Sequence, residues 1–343
     1  MVRSPRLHRL HLLLSLGSPV LMTEPRISVV IPNFNHARFL PRCLDAQLNQ
    51  PVLPYEIIVV DDGSTDNSLE VLREYEKRRP VIRVCPNERN LGTNQTINRG
   101  LELARGDYVG FHAADDEVRP GIYEHFTRLL RAHPEAGAAS GMCEWRCTST
   151  GQNWYIGGRM PNQPSYLSPD QMVALGQSGR LAICSQNAVF KKSALLEADG
   201  YIPELRWFAD WYCAYVVGFR YGMCHVPEVL SNFYLYPQSY FNADASARGQ
   251  RRAVMRRLLE VLESEKFADV ARPIGRSGLL GEFGWSMARV AASDSRHRRF
   301  LTPAFIRYVG RRSAQVFGRR FFPDWLARWC LKVFYGRRSL TEI

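Results

Sequence analysis

Cysteine is scarce, with eight in 343 residues, at positions 43, 85, 143, 147, 184, 213, 224 and 330. They are too few and too unevenly spread for a stapled secreted scaffold, so the reading is reduced thiols in a cytosolic compartment. Cys143 and Cys147 form a lone CxxxC without a second Cys or His pair at ligand spacing, which argues against structural zinc. No apolar stretch reaches the roughly 20 residues of a spanning helix. The one candidate run, between His11 and Met22, is about half that length and precedes no clear cleavage site. Residues 1–22 therefore read as an N-terminal extension, disordered or lying ahead of a start at Met22, rather than as a signal peptide or anchor. Neither GxGxxG nor GxxxxGK[ST] occurs, so a dinucleotide fingerprint and a P-loop are both excluded. At 45% hydrophobic and 23% charged residues the chain is neither collagen-like nor low-complexity.

Acidic balance is missing from one end only. Residues 241–343 hold 21 Lys+Arg against 9 Asp+Glu, an excess equal to the whole chain's net charge of +12. The preceding 240 residues are neutral in balance.

From Met22 onward short β-branched runs alternate with helix-period segments, the pattern of successive βα units around a mostly parallel central sheet flanked by helices. Strands are expected at Ile27–Ile31, Glu56–Val60, Val81–Cys85 and Tyr108–Phe111, with helices near 37–49, 66–78, 94–104 and 121–132. The runs ISVVI and IIVV are apolar on both faces, as strands covered by helices on both sides must be. Ligands of such sheets sit beyond the carboxyl ends of the strands. There the chain reads Pro32-Asn33-Phe34-Asn35, Asp61-Asp62-Gly63-Ser64-Thr65-Asp66 and His112-Ala113-Ala114-Asp115-Asp116. Asp66 and Asp116 have an ordinary explanation as helix caps. Asp61, Asp62 and Asp115 do not, and carboxylates facing one crevice repel unless a divalent cation or a hydrogen-bonding ligand lies among them. The order D-D-G-S-T-D is not that of an EF-hand loop.

These strings, together with NLGTNQTINRGLELARGDYVGF and GYIPELRWFADWYCAYVVGFRYG, occur in one order from Ile27 to Ser239. In that order the chain resembles the inverting family 2 glycosyltransferases, of nucleotide-sugar-binding GT-A fold. The resemblance implies that Pro32, Phe34 and Asp62 surround the nucleotide base and that Asn90, Gly92 and Asn98 line the nucleotide. The family's common Arg before that last Asn is Ile97 here. It implies a Mg²⁺ or Mn²⁺ ion on Asp115, which would also contact the donor's phosphates. The family's D-A-D-D appears as Ala113-Ala114-Asp115-Asp116, without the first Asp. A later family string with Arg and His reads Tyr234-Leu235-Tyr236-Pro237-Gln238-Ser239 here, without either. Asp210, in FADWYCAY, stands where relatives carry the general base, with a helix N-cap as its ordinary alternative. Trp207, Phe208, Trp211 and Tyr212 are either sugar-stacking rings or core.

The implied layout is a catalytic domain over residues 23–240, with a nucleotide-sugar half at 23–132 and an acceptor half at 133–240, then a basic, aromatic helical region at 241–343. In that last region Trp325, Leu326, Trp329 and Val333 share a helical face beside Arg328 and Lys332, the composition of an anionic membrane contact. A helical cap with a solvated Arg face, or a dimer contact, remains the alternative. Nucleic acid is not expected as a partner, for want of any recognised binding fold. The functional expectation is transfer of a sugar, with inversion, from a nucleotide-diphosphate donor to a glycan or lipid-linked acceptor at the cytoplasmic face of the cell membrane. A catalytically degenerate nucleotide-sugar-binding scaffold is the alternative.

Overall fold

The computed structural model describes residues 24–236 and 248–321. Strands β1 (Ile27–Asn33), β2 (Glu56–Asp61), β3 (Ile82–Val84) and β4 (Tyr108–Phe111) lie parallel in the order β3-β2-β1-β4. Every residue of β2 and β4 is buried, which is why both read as continuous apolar runs. Of the connecting helices, α1 (Leu40–Leu48) and α2 (Ser68–Arg78) fall within the expected segments, and α3 (Thr93–Leu103) begins one residue ahead of its own. At Gly100, a Cβ would stand 2.2 Å from Val30 Cγ1, so glycine is what lets α3 lie this close to β1.

Beyond β4 the sheet changes character. After the short β5 (Glu117–Val118) and α4 (Ile122–Ala132) come β6 (Ala138–Cys147), β7 (Asn153–Ile156) and β8 (Ser165–Leu167). Next are α5 (Pro169–Ser178), opened by a Ser168–Gln171 capping box, then β9 (Ala188–Lys191) and α6 (Lys192–Glu197). Helix α7 (Ala209–Tyr221) and β10 (Met223–Leu235) close this half. Strand β9 runs antiparallel between β4 and β6, while β10 pairs parallel with β6, so the second half is mixed. Strands β6 and β7 form an antiparallel hairpin, with Trp145 facing Trp154 across it.

Among the described residues four further α-helices follow: α8 (Arg248–Glu263), α9 (Ala268–Ser277), α10 (Gly284–Ala292) and α11 (Pro303–Phe321). The change in composition near residue 240 is not a break in packing. Met255, Leu259, Ile274, Met287 and Phe305 belong to one hydrophobic core with Tyr212 and Val216 of α7. Each fully buried Leu or Phe there stabilises by about 1.5–3 kcal/mol relative to exposure. Arg220 of α7 makes a bidentate pair with Asp269 of α9, through Nε at 2.6 Å and Nη2 at 2.9 Å. This is the cap arrangement, made by α8 to α11. The aromatic face expected at Trp325, Leu326, Trp329 and Val333 lies outside the described residues, as do residues 1–23 and Pro237-Gln238-Ser239. Among the described residues no helix is long and apolar enough to cross a membrane. The seven described cysteines form no disulfide.

Candidate active site

All the loops read as ligand-bearing meet at one edge of the sheet, and the first two are laced together. Asn35 adopts a left-handed backbone (φ 57°), tolerated by Asn, and its Oδ1 accepts from the Thr65 N–H at 2.7 Å. Ser64 Oγ donates to Asp61 Oδ1 at 2.6 Å and accepts from the Asn35 N–H at 2.9 Å. Asn33 Nδ2 donates to the same Asp61 oxygen at 2.7 Å. Asp66 joins the lacing, accepting from Ala37 N–H at 3.0 Å and from Ser68 N–H, at the start of α2, at 2.9 Å. Asp61, which the sequence left without an ordinary explanation, is therefore satisfied inside the protein and holds the loops in register.

Asp62 performs a longer-range version of the same work. Its Oδ1 accepts from Asn87 Nδ2 (2.7 Å) and Leu91 N–H (2.8 Å), and its Oδ2 accepts from Gly92 N–H (2.9 Å). The carboxylate thus pins the start of α3 against the end of β2, and Oδ2 keeps lone-pair capacity for a ligand donor. Gly63 makes this possible: it sits at φ 68°, and a Cβ there would fall 2.8 Å from the Arg89 carbonyl carbon.

Asp115 and Asp116 follow β4. Arg42 of α1 donates through Nη2 to the Asp115 carbonyl oxygen and lies 4.0 Å over the Tyr234 ring, clamping this loop between α1 and β10. Asp116 Oδ1 accepts from Tyr234 N–H at 2.9 Å, whereas Oδ2 is buried without a partner. Asp116 is thus not the cap of α4, whose N-cap is Gly121. Burial raises the Asp115 carboxyl above the usual range against the nearby His36 and Arg42 charges. Burial, then the neighbouring Asp115 charge, raise Asp116 further.

Asp210 stands in the first turn of α7, and its side chain caps no helix N–H beyond that of the next residue, Trp211, at 2.6 Å. Its Oδ2 accepts from Ser185 Oγ at 2.9 Å. Ser185 lies just ahead of β9, which runs antiparallel to β4 with Val189 opposite Gly110. The start of β9 and the end of β4 therefore share a sheet edge, and Ser185 ties Asp210 to the edge that carries Asp115. Burial raises the Asp210 carboxyl, opposed by the Ser185 and Trp211 hydrogen bonds. Just upstream, Arg206 holds φ 50° without being glycine, and its carbonyl accepts from Asn94 Nδ2 at 3.0 Å. Asn94 thus latches α3 to the turn before Asp210.

Residues 28–196 match the family model "Glycosyl transferase family 2". The chain carries a family 2 glycosyltransferase domain. It is 35% identical over 129 residues to the uncharacterized glycosyltransferase YibD of Escherichia coli, covering 38% of this chain and 37% of that protein. It is 34% identical over 107 residues to an Escherichia coli chondroitin synthase, covering 31% and 16% respectively. The match thus spans well under half the length of these relatives. Among solved structures, S. aureus TarS 1–349 in complex with UDP aligns with a TM-score of 0.57 at 16% identity, covering 75% of this chain and 71% of that one. At that identity the likeness is one of fold, and it agrees with the GT-A-type sheet read from the sequence.

Within the family 2 frame, Pro32, Asp62, Gly92 and Asp115 line the carboxyl edge of β1, β2 and β4 with Phe34, whose ring is 40% exposed at the rim. Asn90 accepts from Gly92 N–H at 3.0 Å on that same rim. Asn98 is placed differently from its expected role. Its Nδ2 donates to the Tyr201 carbonyl and its Oδ1 accepts from Tyr201 N–H, both at 2.8 Å, so it fixes the turn before Asp210. Ile97 is core. Phe208 and Tyr212 are core as well, whereas Trp207 and Trp211 are only partly buried. The sequence reading missed three contributors. They are Ser185, Arg42 and Glu282, whose Oε2 accepts from Trp211 Nε1 at 3.1 Å. None lies in a recognisable string; each is brought in by packing. His112, buried beside the Asp115 loop, is pushed down to about 4 by burial and is neutral at physiological pH.

Proposed function

We propose that this protein transfers a sugar, with inversion at the anomeric carbon, from a nucleotide-diphosphate donor to a glycan or lipid-linked acceptor. The observation that carries the reading is the gathering of Asp62, Asp115 and Asp210 on one sheet edge, with Asp210 held there by Ser185. The nucleotide base and ribose bind over Pro32, Phe34, Asp62, Asn90 and Gly92. UDP is the first nucleotide to test, since the structurally similar TarS binds it. A polysaccharide acceptor is in keeping with the likeness to chondroitin synthase. The expected seat of action is the cytoplasmic membrane face.

In the reaction, the Asp210 carboxylate takes the proton of the acceptor hydroxyl. The acceptor oxygen bonds to the anomeric carbon from the side opposite the diphosphate. The bond from that carbon to the diphosphate oxygen breaks, and its electron pair leaves with the nucleotide. Ser185 and the Trp211 N–H orient the carboxylate, and its raised pKa makes it a stronger base than a solvated aspartate.

The residues fit a divalent cation shared with a substrate, not one caged by protein. Among the described residues no group of three or more His, Cys, Asp or Glu converges. Asp115 stands beside the buried, unpartnered Asp116 Oδ2, and few carboxylates plus phosphate oxygens are what Mg²⁺ or Mn²⁺ accepts. Asp115 would hold the ion, which when bound neutralises charge developing on the departing diphosphate.

The test is calorimetry of UDP, other nucleotide diphosphates and their sugars, with Mn²⁺, with Mg²⁺ and with chelator, on wild type and Asp115→Ala. Cation-dependent binding lost in the variant is the expected outcome. A folded protein that binds no nucleotide diphosphate under any of these conditions would overturn the reading.

A further inference from the structure

The cap carries a surface that the transfer reaction does not use. Phe283 packs edge-on against Phe208 and Trp211, with ring centroids 4.4 and 5.1 Å away, so the chain at this point is beside Asp210. Two residues on, at the start of α10, Trp285 is 56% exposed. Its indole N–H donates to Ser313 Oγ at 3.1 Å, which lays the ring along α11. Ile306, 49% exposed, precedes Ser313 by two helical turns and so shares its flank. Gly310 lies between them, with no atom within 4 Å of the place a Cβ would take. The flank is open.

Its rim is cationic. Arg289 stands one turn after Trp285 on α10, and Arg307 follows Ile306; both are exposed and neither forms an ion pair among the described residues. Residues 248–314 as a whole hold 15 Lys+Arg against 6 Asp+Glu. A lone exposed apolar side chain is ordinary. An indole and an isoleucine on one flank, rimmed by unpaired guanidinium groups, have the chemistry of a lipid interface, where rings sit at headgroup depth and arginines meet anionic phosphates.

We propose that Trp285, Arg289, Ile306 and Arg307 form a docking face for an anionic bilayer, presenting the Asp210 side of the cleft to a membrane-embedded acceptor. Only the part concerning the acceptor rests on the transferase reading. Sedimentation of the full chain with vesicles tests the docking, using phosphatidylcholine alone and an even mixture with phosphatidylglycerol. Wild type is expected to sediment with the mixed vesicles, and less as salt is raised. Trp285→Ala/Ile306→Ala should weaken that binding about tenfold or more, and Arg289→Gln/Arg307→Gln about fivefold per arginine. Ile306→Glu should act in the same direction, and thermal melts should stay at wild type because these side chains are exposed. Equal sedimentation of wild type and all variants, or none by wild type, overturns the docking face. So does a wild-type dimer in light scattering that the Trp285→Ala/Ile306→Ala chain loses without any vesicle binding, since the face then belongs to a second copy. UDP calorimetry on the same proteins separates the two readings: face-dependent vesicle binding without nucleotide binding supports the docking face while removing the transferase.

Discussion

The two ends of the cleft hold their carboxylates by different means. On the donor side, Asp61 and Asp62 accept from Ser64, Asn33, Asn87, Leu91 and Gly92, all in loops of the first four strands. On the acceptor side, Asp210 accepts from Ser185, and its neighbour Trp211 reaches Glu282, 71 residues away in the cap. The first set stays within residues 33–92, its longest link spanning 30 residues. Asp210, the proposed base, has a neighbour, Trp211, tied to the cap and lies, like the cap, beyond the matched residues 28–196. The residues proposed for nucleotide recognition therefore lie within the matched segment, and the proposed base lies outside it.

The sharpest way to break that contrast is at Asp210. Asp210→Asn is expected to lower transfer by about 10²–10⁴-fold, with nucleotide binding by calorimetry unchanged. Turnover equal to wild type would remove Asp210 as the base. Because burial raises this carboxyl, the rate should fall on acidification at a pH above the roughly 3.9 of a solvated aspartate. A pH–rate profile of the chemical step reads this directly.

Next in size is the cap. Phe305 is 1% exposed and sits in the core shared with α7. Phe305→Ala should cost about 3–5 kcal/mol in urea unfolding. A cost near zero would mean that the cap is an independent module. The same core contains Phe300 and Val309, so truncation at residue 296 should unfold the acceptor side rather than release a tail.

This division also explains what the sequence disclosed. The four parallel strands and their helices were legible because a strand buried on both faces must be a short, continuous β-branched run. The donor loops were legible because their residues are adjacent in the chain. Asp61 was misjudged: sequence spacing showed a carboxylate at a strand end, but not that Ser64 of its own loop and Asn33 at the end of the neighbouring strand would satisfy it. Asn98 was misplaced for the same reason, since its partner, the Tyr201 peptide, is 103 residues on. Ser185 and Glu282 had no signal at all, because a lone serine or glutamate acquires its role only when the sheet order and the cap bring it to Asp210.

A smaller effect tests the donor side. Asp62→Ala leaves the Leu91 N–H without an acceptor and the Gly92 N–H and Asn87 amide with only Asn90 and Thr96 respectively, which should cost about 1–3 kcal/mol of stability. It should also weaken nucleotide binding in calorimetry, since both Leu91 and Gly92 lose their anchor. Wild-type affinity in the variant would show that the 87–92 loop is held by its other contacts.

The smallest effect is at Asp116, where the two sides meet. Its buried carboxyl holds a proton more tightly folded than unfolded. Stability therefore falls as pH rises from the unfolded value of about 3.9 toward the raised folded value, and the deficit persists at neutral pH. Asp116→Asn keeps an oxygen for the Tyr234 N–H and removes the ionisable group. Without divalent ions the variant should melt about 2 °C higher than wild type at neutral pH, for roughly 1 kcal/mol regained, and at the wild-type temperature below about pH 3.9, where the aspartate is protonated in both states. Added Mn²⁺ should narrow the neutral-pH gap by stabilising wild type, because a cation beside Asp115 relieves the same repulsion. A variant that melts lower than wild type in chelator would instead mean that Asp116 is ionised and paired in the native protein.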